Sequence, residues 1–147
     1  MKRELIIGLQ NLNQKSEEVS TKSSLFKKSE AQLIIKDLED SLDLKKGVGL
    51  SAIQIGILKR VSIIRFGKFK LDLINPIILA KENKIRFPKE GCLSLPNLFI
   101  DTMRYNNITL ENNGKVSELS GLPAVMCQHE IDHLNGLTIL NRKWRKR

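Results

Sequence analysis

Histidine is scarce in this chain, with two residues in 147, and cysteine equally so, with only Cys92 and Cys127. So few cysteines, in a sequence of ordinary mixed composition, exclude the disulfide-dense scaffold by which small secreted domains make up for a thin core. Long apolar runs are missing too. The patch in MKRELIIGLQNL is short and soon followed by Glu17 and Glu18, so it reads neither as a signal peptide nor as a membrane span. Internal repeats and low-complexity linkers are absent, and the expectation is one soluble domain over residues 1–147, in a reducing cytoplasm, with no membrane partner. A chain of this length buries about two thirds of the surface its unfolded form exposes, enough for a core without disulfides. Negative charge is the other shortage, since 16 Asp and Glu against 25 Lys and Arg leave a net +9. Such an excess favours encounter with polyanions but equally describes a solvated basic surface, and it says nothing of activity.

The polar stretch NQKSEEVSTKSS reads as an irregular, exposed arm ahead of the first strong element. Ser29 and Gln32 have capping-box spacing, and Ala31, Ile34, Ile35, Leu38 and Leu42 repeat at helical intervals until Gly47 breaks them, which predicts a helix. RVSIIRF and FKLDLINP flank Gly67-Lys68, and NITLE and KVSEL flank NNG. Both pairs have the form of hairpins, the second around a tight primed turn at Asn113-Gly114. A second helix is expected to start near Pro123, whose missing N–H is harmless in a first turn, and to end by Gly136. Two helices among many short strands, without regular alternation of strand and crossover helix, predict an α+β fold with mainly antiparallel pairing.

Both histidines fall within QHEIDHLNG, Gln128 to Gly136. On a helix His129 and His133 stand one turn apart on one face, where two imidazoles can grip one cation, with Glu130 beside them. Two merely structural histidines have no reason to fall at this spacing around a glutamate. A third ligand is needed, and LNGLTILNRKWRKR downstream holds no Asp, Glu, His or Cys, so it must come from upstream. Cys92, in EGCLSLP, is the best candidate, because a thiolate with two imidazoles suits zinc or ferrous iron and leaves a fourth position open. Cys127 is a poorer one, since two residues along a helix turn it about 200° from His129; it reads as a small buried apolar residue. A cation so held acidifies water and polarises a carbonyl, while Glu130 can take a proton and deliver it to a leaving nitrogen, as amide hydrolysis requires.

Three blocks in order, GVGLSAIQ from Gly47 to Gln54, EGCLS from Glu90 to Ser94 and QHEIDH from Gln128 to His133, resemble the peptide deformylase family. The likeness takes in most of the chain between residues 30 and 136, and NQKSEEV resembles that family's N-terminal segment. The resemblance implies a deformylase-like fold built around a central metal-binding helix. It implies removal of the formyl group from the N-formylmethionine of nascent proteins, with release of formate. One divalent metal ion, Fe(2+) or Zn(2+), would be held by Cys92, His129 and His133. Glu130 would be the general acid/base, and Gln54 with the backbone N–H of Leu93 would face the developing oxyanion, a need that any tetrahedral intermediate imposes. The implied partners are N-formylmethionyl peptides, in a bacterial cytoplasm; the short C-terminus is similar to compact phage-encoded forms that act in a bacterial host.

Substrate contacts are implied for Val48, Gly49, Glu90 and Gly91, and the glycines at 47 and 49 allow a close backbone approach at which an extended peptide could pair like an added strand. The family's methionine pocket maps onto Val48, Glu90, Leu122, Val125, Met126 and His129. Leu122, Val125, Met126, His129 and His133 also fall at i, i+3, i+4, i+7 and i+11, an apolar stripe leading to the ligands, although such a stripe describes ordinary core as well. Asp132 and Arg104 take positions that the family pairs as a buried ion pair. Two departures stand out: Ser51 replaces the usual alanine, adding a hydroxyl near the site, and Phe99 stands where many members have a polar residue that contacts substrate backbone. The tail NRKWRKR gathers Arg142, Lys143, Arg145, Lys146 and Arg147 around Trp144. These cations would supply a salt-sensitive attraction to the RNA phosphates of the ribosome, with Trp144 stacking there or folding back on the core. A different amidohydrolase on the same site, or a basic RNA-binding module with a vestigial one, fits part of the pattern. The second is disfavoured by Gln54, Cys92, Glu130 and both histidines all being present.

Overall fold

The structure, a computed structural model, describes residues 1–25 and 27–145. Two antiparallel sheets of three strands each, and two α-helices, form its framework. The first sheet has the order β1 (Gly49–Ser51), β2 (Val61–Phe66), β3 (Phe69–Ile74). Phe66 pairs with Phe69 across Gly67-Lys68, as the sequence predicts, and the two rings stack with centroids 5.0 Å apart. The second sheet has the order β4 (Ile77–Cys92), β5 (Leu95–Asn112), β6 (Lys115–Ser120). Asn112 pairs with Lys115, and Asn113 and Gly114 take φ of 50° and 79°, the positive pair that a primed turn demands.

Strands β4 and β5 are not short, as the sequence suggests, but 16 and 18 residues long. Most of β4 is solvated on both faces, so it lacks the alternating apolar pattern by which a strand is recognised. Its register is irregular between Phe87 and Glu90, where Pro88 interrupts the ladder and Lys89 takes φ 49°. Beyond that irregularity the strand turns into the protein, and Glu90 and Cys92 are buried.

Helix α1 (Glu30–Ser41) begins at the expected reciprocal cap: Ser29 Oγ accepts from the Gln32 N–H at 3.1 Å, and the Ser29 N–H donates to Gln32 Oε1 at 2.8 Å. Its apolar face, Ala31, Ile34 and Leu38, packs with Leu50, Val61 and Ile63 of the first sheet. Helix α2 (Leu122–Leu134) starts after Gly121 with Pro123 in its first turn, and Gly136, φ 78°, lies just beyond its end. Its Ala124, Cys127 and Ile131 pack with Ile64 and Leu73 of one sheet and Ile108 and Leu110 of the other. Gripped between both sheets, α2 is buried almost all round, and so are the polar residues it carries. No helix among the described residues is long and apolar enough to cross a membrane.

The stretch expected as an exposed arm is partly built in. Ser16 and Val19 are buried, the Ser16 N–H donates to the Leu134 carbonyl at 2.9 Å, and the Asn75 side chain bonds both backbone groups of Val19 at 2.9 and 3.0 Å. Backbone bonding of this kind leaves no hydrophobic periodicity behind, which is why composition alone misplaces the segment.

Candidate metal centre

The irregular end of β4 delivers Cys92, and two successive turns of α2 deliver His129 and His133. One ligand atom from each lies within 4.8 Å of the others. Cys92 Sγ stands 3.4 Å from His133 Nε2, close to the edge of about 3.6 Å between a sulfur and a nitrogen ligand of one tetrahedral zinc ion. The Nδ1 of His129 is taken by Glu90 Oε2 at 2.7 Å, which leaves Nε2 as the free ring nitrogen. Burial holds the pKa of His133 well below its usual range, so that ring is neutral, the state in which imidazole binds a metal. Burial also works to lower the pKa of His129, but the charge of Glu130 and hydrogen bonds with Cys92 and Glu90 outweigh it and raise it well above the ordinary value. The three donors fit a divalent cation.

Behind the ligands lies a buried ionic network. Arg104 donates through Nε to Glu90 Oε1 at 2.8 Å and through Nη2 to Glu90 Oε2 at 2.6 Å, while Thr102 Oγ1 donates to Oε1 at 2.7 Å. Its Nη1 donates to Asp132 Oδ2 at 2.6 Å, the pair the resemblance implies, and Arg142 Nη2 donates to Asp132 Oδ1 at 2.9 Å. Burial alone would raise the Glu90 pKa, but Arg104 and His129 hold it at about 2. Glu90, expected in the methionine pocket, touches the cavity but has its carboxylate committed to orienting His129. Its role was hidden because a charged residue near a strand end usually reads as exposed.

Glu130 is 2 % exposed, and burial pushes its pKa up to about 7 against the attraction of His129. Gln54 is oriented from behind: its Oε1 accepts from the Ser51 N–H at 2.9 Å, and its Nε2 is turned to Ser94 Oγ at 3.1 Å and to Cys92 Sγ at 3.8 Å. Leu93 occupies the turn between β4 and β5, where Cys92 pairs with Leu95, and its side chain lies against Gly47. Cys127 is buried on the other side of α2, its thiol pushed up to about 12 by burial, and it stays outside the centre.

A cavity of about 650 Å³ opens over these groups. Val48, Gly49, Glu90, Gly91, Leu93, Met126, His129 and Glu130 line it, as expected, and Leu5, Phe87 and Leu98 add apolar surface that the sequence did not reveal. Leu122 and Val125, expected beside the methionine side chain, are not among the residues that line this cavity. The cavity lies toward Met126 and Glu130, and Val125 precedes Met126 by about 100° around the helix, where it is buried. Leu122 is 43 % exposed on the first turn. Phe99 pairs with Gly91 across the strands and is 65 % exposed at the mouth. In the tail, Arg142 is bound to Asp132, and the Trp144 N–H donates to the Asp101 carbonyl at 2.8 Å with Arg86 over the indole at 6.0 Å. Lys146 and Arg147 lie outside the described residues.

A cleft that brings an apolar chain up to a cation-binding set and a buried carboxylate is equipped for metal-dependent hydrolysis. That is the class. The family model described as Polypeptide deformylase matches residues 2–147, and the chain belongs to that family. A peptide deformylase of Aquifex aeolicus is 40 % identical over 131 residues, 80 % of this chain and 77 % of its own. The solved peptide deformylase of Thermotoga maritima is similar with a TM-score of 0.81 and 28 % identity over 99 % of both chains. That of Acinetobacter baumannii with Met-Ala-Ser bound gives 0.81 at 25 % identity, over 97 % of this chain and 98 % of its own. The activity is accordingly removal of the N-formyl group from nascent peptides, by a family that depends on a metal.

Proposed function

We propose that residues 1–147 form one catalytic domain that deformylates N-formylmethionyl peptides, with Cys92, His129 and His133 holding one Fe(2+) or Zn(2+) ion, Glu130 as general acid/base, and Gln54 and the Leu93 N–H as oxyanion donors. The observation that carries the reading is the convergence of the three ligand atoms within 4.8 Å beside the buried Glu130. When bound, the cation supplies Lewis acidity and lowers the pKa of water. Everything else falls to the protein's own groups. Glu130 takes a proton from the attacking water at one carboxylate oxygen and returns it to the amine nitrogen as the formyl C–N bond breaks, leaving formate and a free N-terminus. A buried carboxyl next to the cation ligands is placed to do both. Gln54 suits the oxyanion because its amide oxygen is held by the Ser51 N–H, which keeps its Nε2 directed at the site.

The methionine side chain enters the apolar cleft beside Val48 and Met126, and the peptide lies along Gly47–Gly49 as an added strand. The Met-Ala-Ser bound to the Acinetobacter relative has methionine first, as a product of this reaction does. Lys143 and Arg145 offer charge to ribosomal RNA, in a bacterial-type cytoplasm, although Arg142 and Trp144 are already engaged. Anaerobic purification followed by metal analysis and formate release from formyl-Met peptides is the test. One metal per chain with stoichiometric formate is expected; free amine without formate, or turnover without metal, would sink the reading. Low-salt co-sedimentation with ribosomes, lost when Lys143 and Arg145 become Gln, tests the surface separately.

A further inference from the structure

Ser51 and Ser62 face each other in the β1–β2 pairing, both fully buried, with their Oγ atoms 2.6 Å apart. Ser51 Oγ also lies 3.2 Å from Glu130 Oε1 and 3.1 Å from the Glu130 carbonyl oxygen. Each hydroxyl has one proton to give. Among the described residues the Ser62 hydroxyl meets only Ser51, whereas Ser51 has two acceptors on Glu130, the carboxylate Oε1 and the main-chain carbonyl, so both protons are used only if Ser62 donates to Ser51 and Ser51 donates to Glu130. The other carboxylate oxygen, Oε2, lies against Gly49, where any Cβ would stand 2.8 Å away. Residues 49 and 51 share one face of β1 by strand periodicity, and between them they confine both ends of the carboxylate. Gly49 lines the cavity and Ser51 does not.

We propose that Ser51, backed by Ser62, is a positioning residue that clamps Glu130 from behind and keeps the carboxylate turned toward the substrate. This rests on Glu130 being the general acid/base. Ser51 touches no substrate. Its hydroxyl fixes one oxygen so that the other carries the proton, and a chain of two aligned hydroxyls holds its direction better than one.

The experiment is a double-mutant cycle on the metal-loaded enzyme. Ser51→Ala removes one hydroxyl from a fully buried position and adds no bulk, so the strand pairing is kept. It should lower kcat about three- to tenfold, the range one hydrogen bond commands, with KM and metal content unchanged. Ser62→Ala should lower kcat less, and should add nothing to Ser51→Ala. In the Glu130→Gln background, Ser51→Ala should have no effect, whereas a purely structural role would persist in both backgrounds. Crystals of the metal-free Ser51→Ala protein should show the Glu130 side chain in more than one orientation. Unchanged kcat in Ser51→Ala, or an equal loss in both backgrounds, overturns the clamp. Near-normal turnover by Glu130→Gln alone would instead overturn the reading it rests on.

Discussion

A Cβ on Gly49 would stand 2.8 Å from Oε2 of Glu130 and 3.1 Å from the carbonyl oxygen of Ile63. The Ile63 backbone cannot give way, so the carboxylate must. Gly49→Ala is expected to lower kcat/KM on the order of 10²-fold, as displacements near 1 Å do, while the protein keeps its metal. Steady-state kinetics paired with metal analysis check this, and unaltered kinetics would mean that the carboxylate moves without consequence.

Glu130→Gln keeps shape and hydrogen-bonding capacity but cannot carry the proton. Formate release should fall by roughly 10²–10⁴-fold, with metal content and thermal stability close to those of the parent.

The two cysteines separate cleanly. Cys92→Ser should strip the protein of metal after dialysis against a weak chelator, whereas Cys127→Ala should retain it, since Cys127 lies in the apolar core outside the ligand cluster. Metal loss in the Cys127 variant would reassign the ligand set.

Glu90 gives a pH dependence whose sign is fixed. Its carboxyl is held at about 2 in the folded chain, against an ordinary 4.5. The stabilisation is therefore complete above pH 4.5 and disappears as pH falls toward 2, amounting to about 3 kcal/mol. Urea unfolding of metal-free protein should show this acid loss, and Glu90→Gln should lack it. The same variant should bind metal about 10–100-fold more weakly, because nothing then orients His129 with full charge.

Met126 lines the cavity and is a residue with which to narrow it. Met126→Trp should depress turnover of formyl-Met peptides more than that of formyl-Ala peptides, and equal losses would place the methionine side chain elsewhere.

What could be read in advance was whatever depends on local chemistry. Ser29 with Gln32 announces a helix because the two side chains cap one another, and Asn113-Gly114 announces a turn because few other residues tolerate its backbone. His129 and His133 belong to one helical face, with Glu130 beside them, and Cys92 followed from the lack of any downstream ligand. The failures are tertiary. Nothing local shows that the solvated length of β4 pairs with β5, or that Asn75 holds Val19. Glu90 is the clearest case, since its role depends on Arg104 and His129, both far along the chain.

The ligands come from separate elements, Cys92 from the end of β4 and the histidines from α2. The unfolded chain has no such set, so the free energy of cation binding is also free energy of folding. Free ion at a hundred times its dissociation constant adds about 2.7 kcal/mol of stability, and withdrawal takes it away. A shift of that size alters the unfolded fraction on which cellular proteases act. Metal starvation would therefore deplete the protein itself, and the level of the enzyme in a cell would track the supply of its ion.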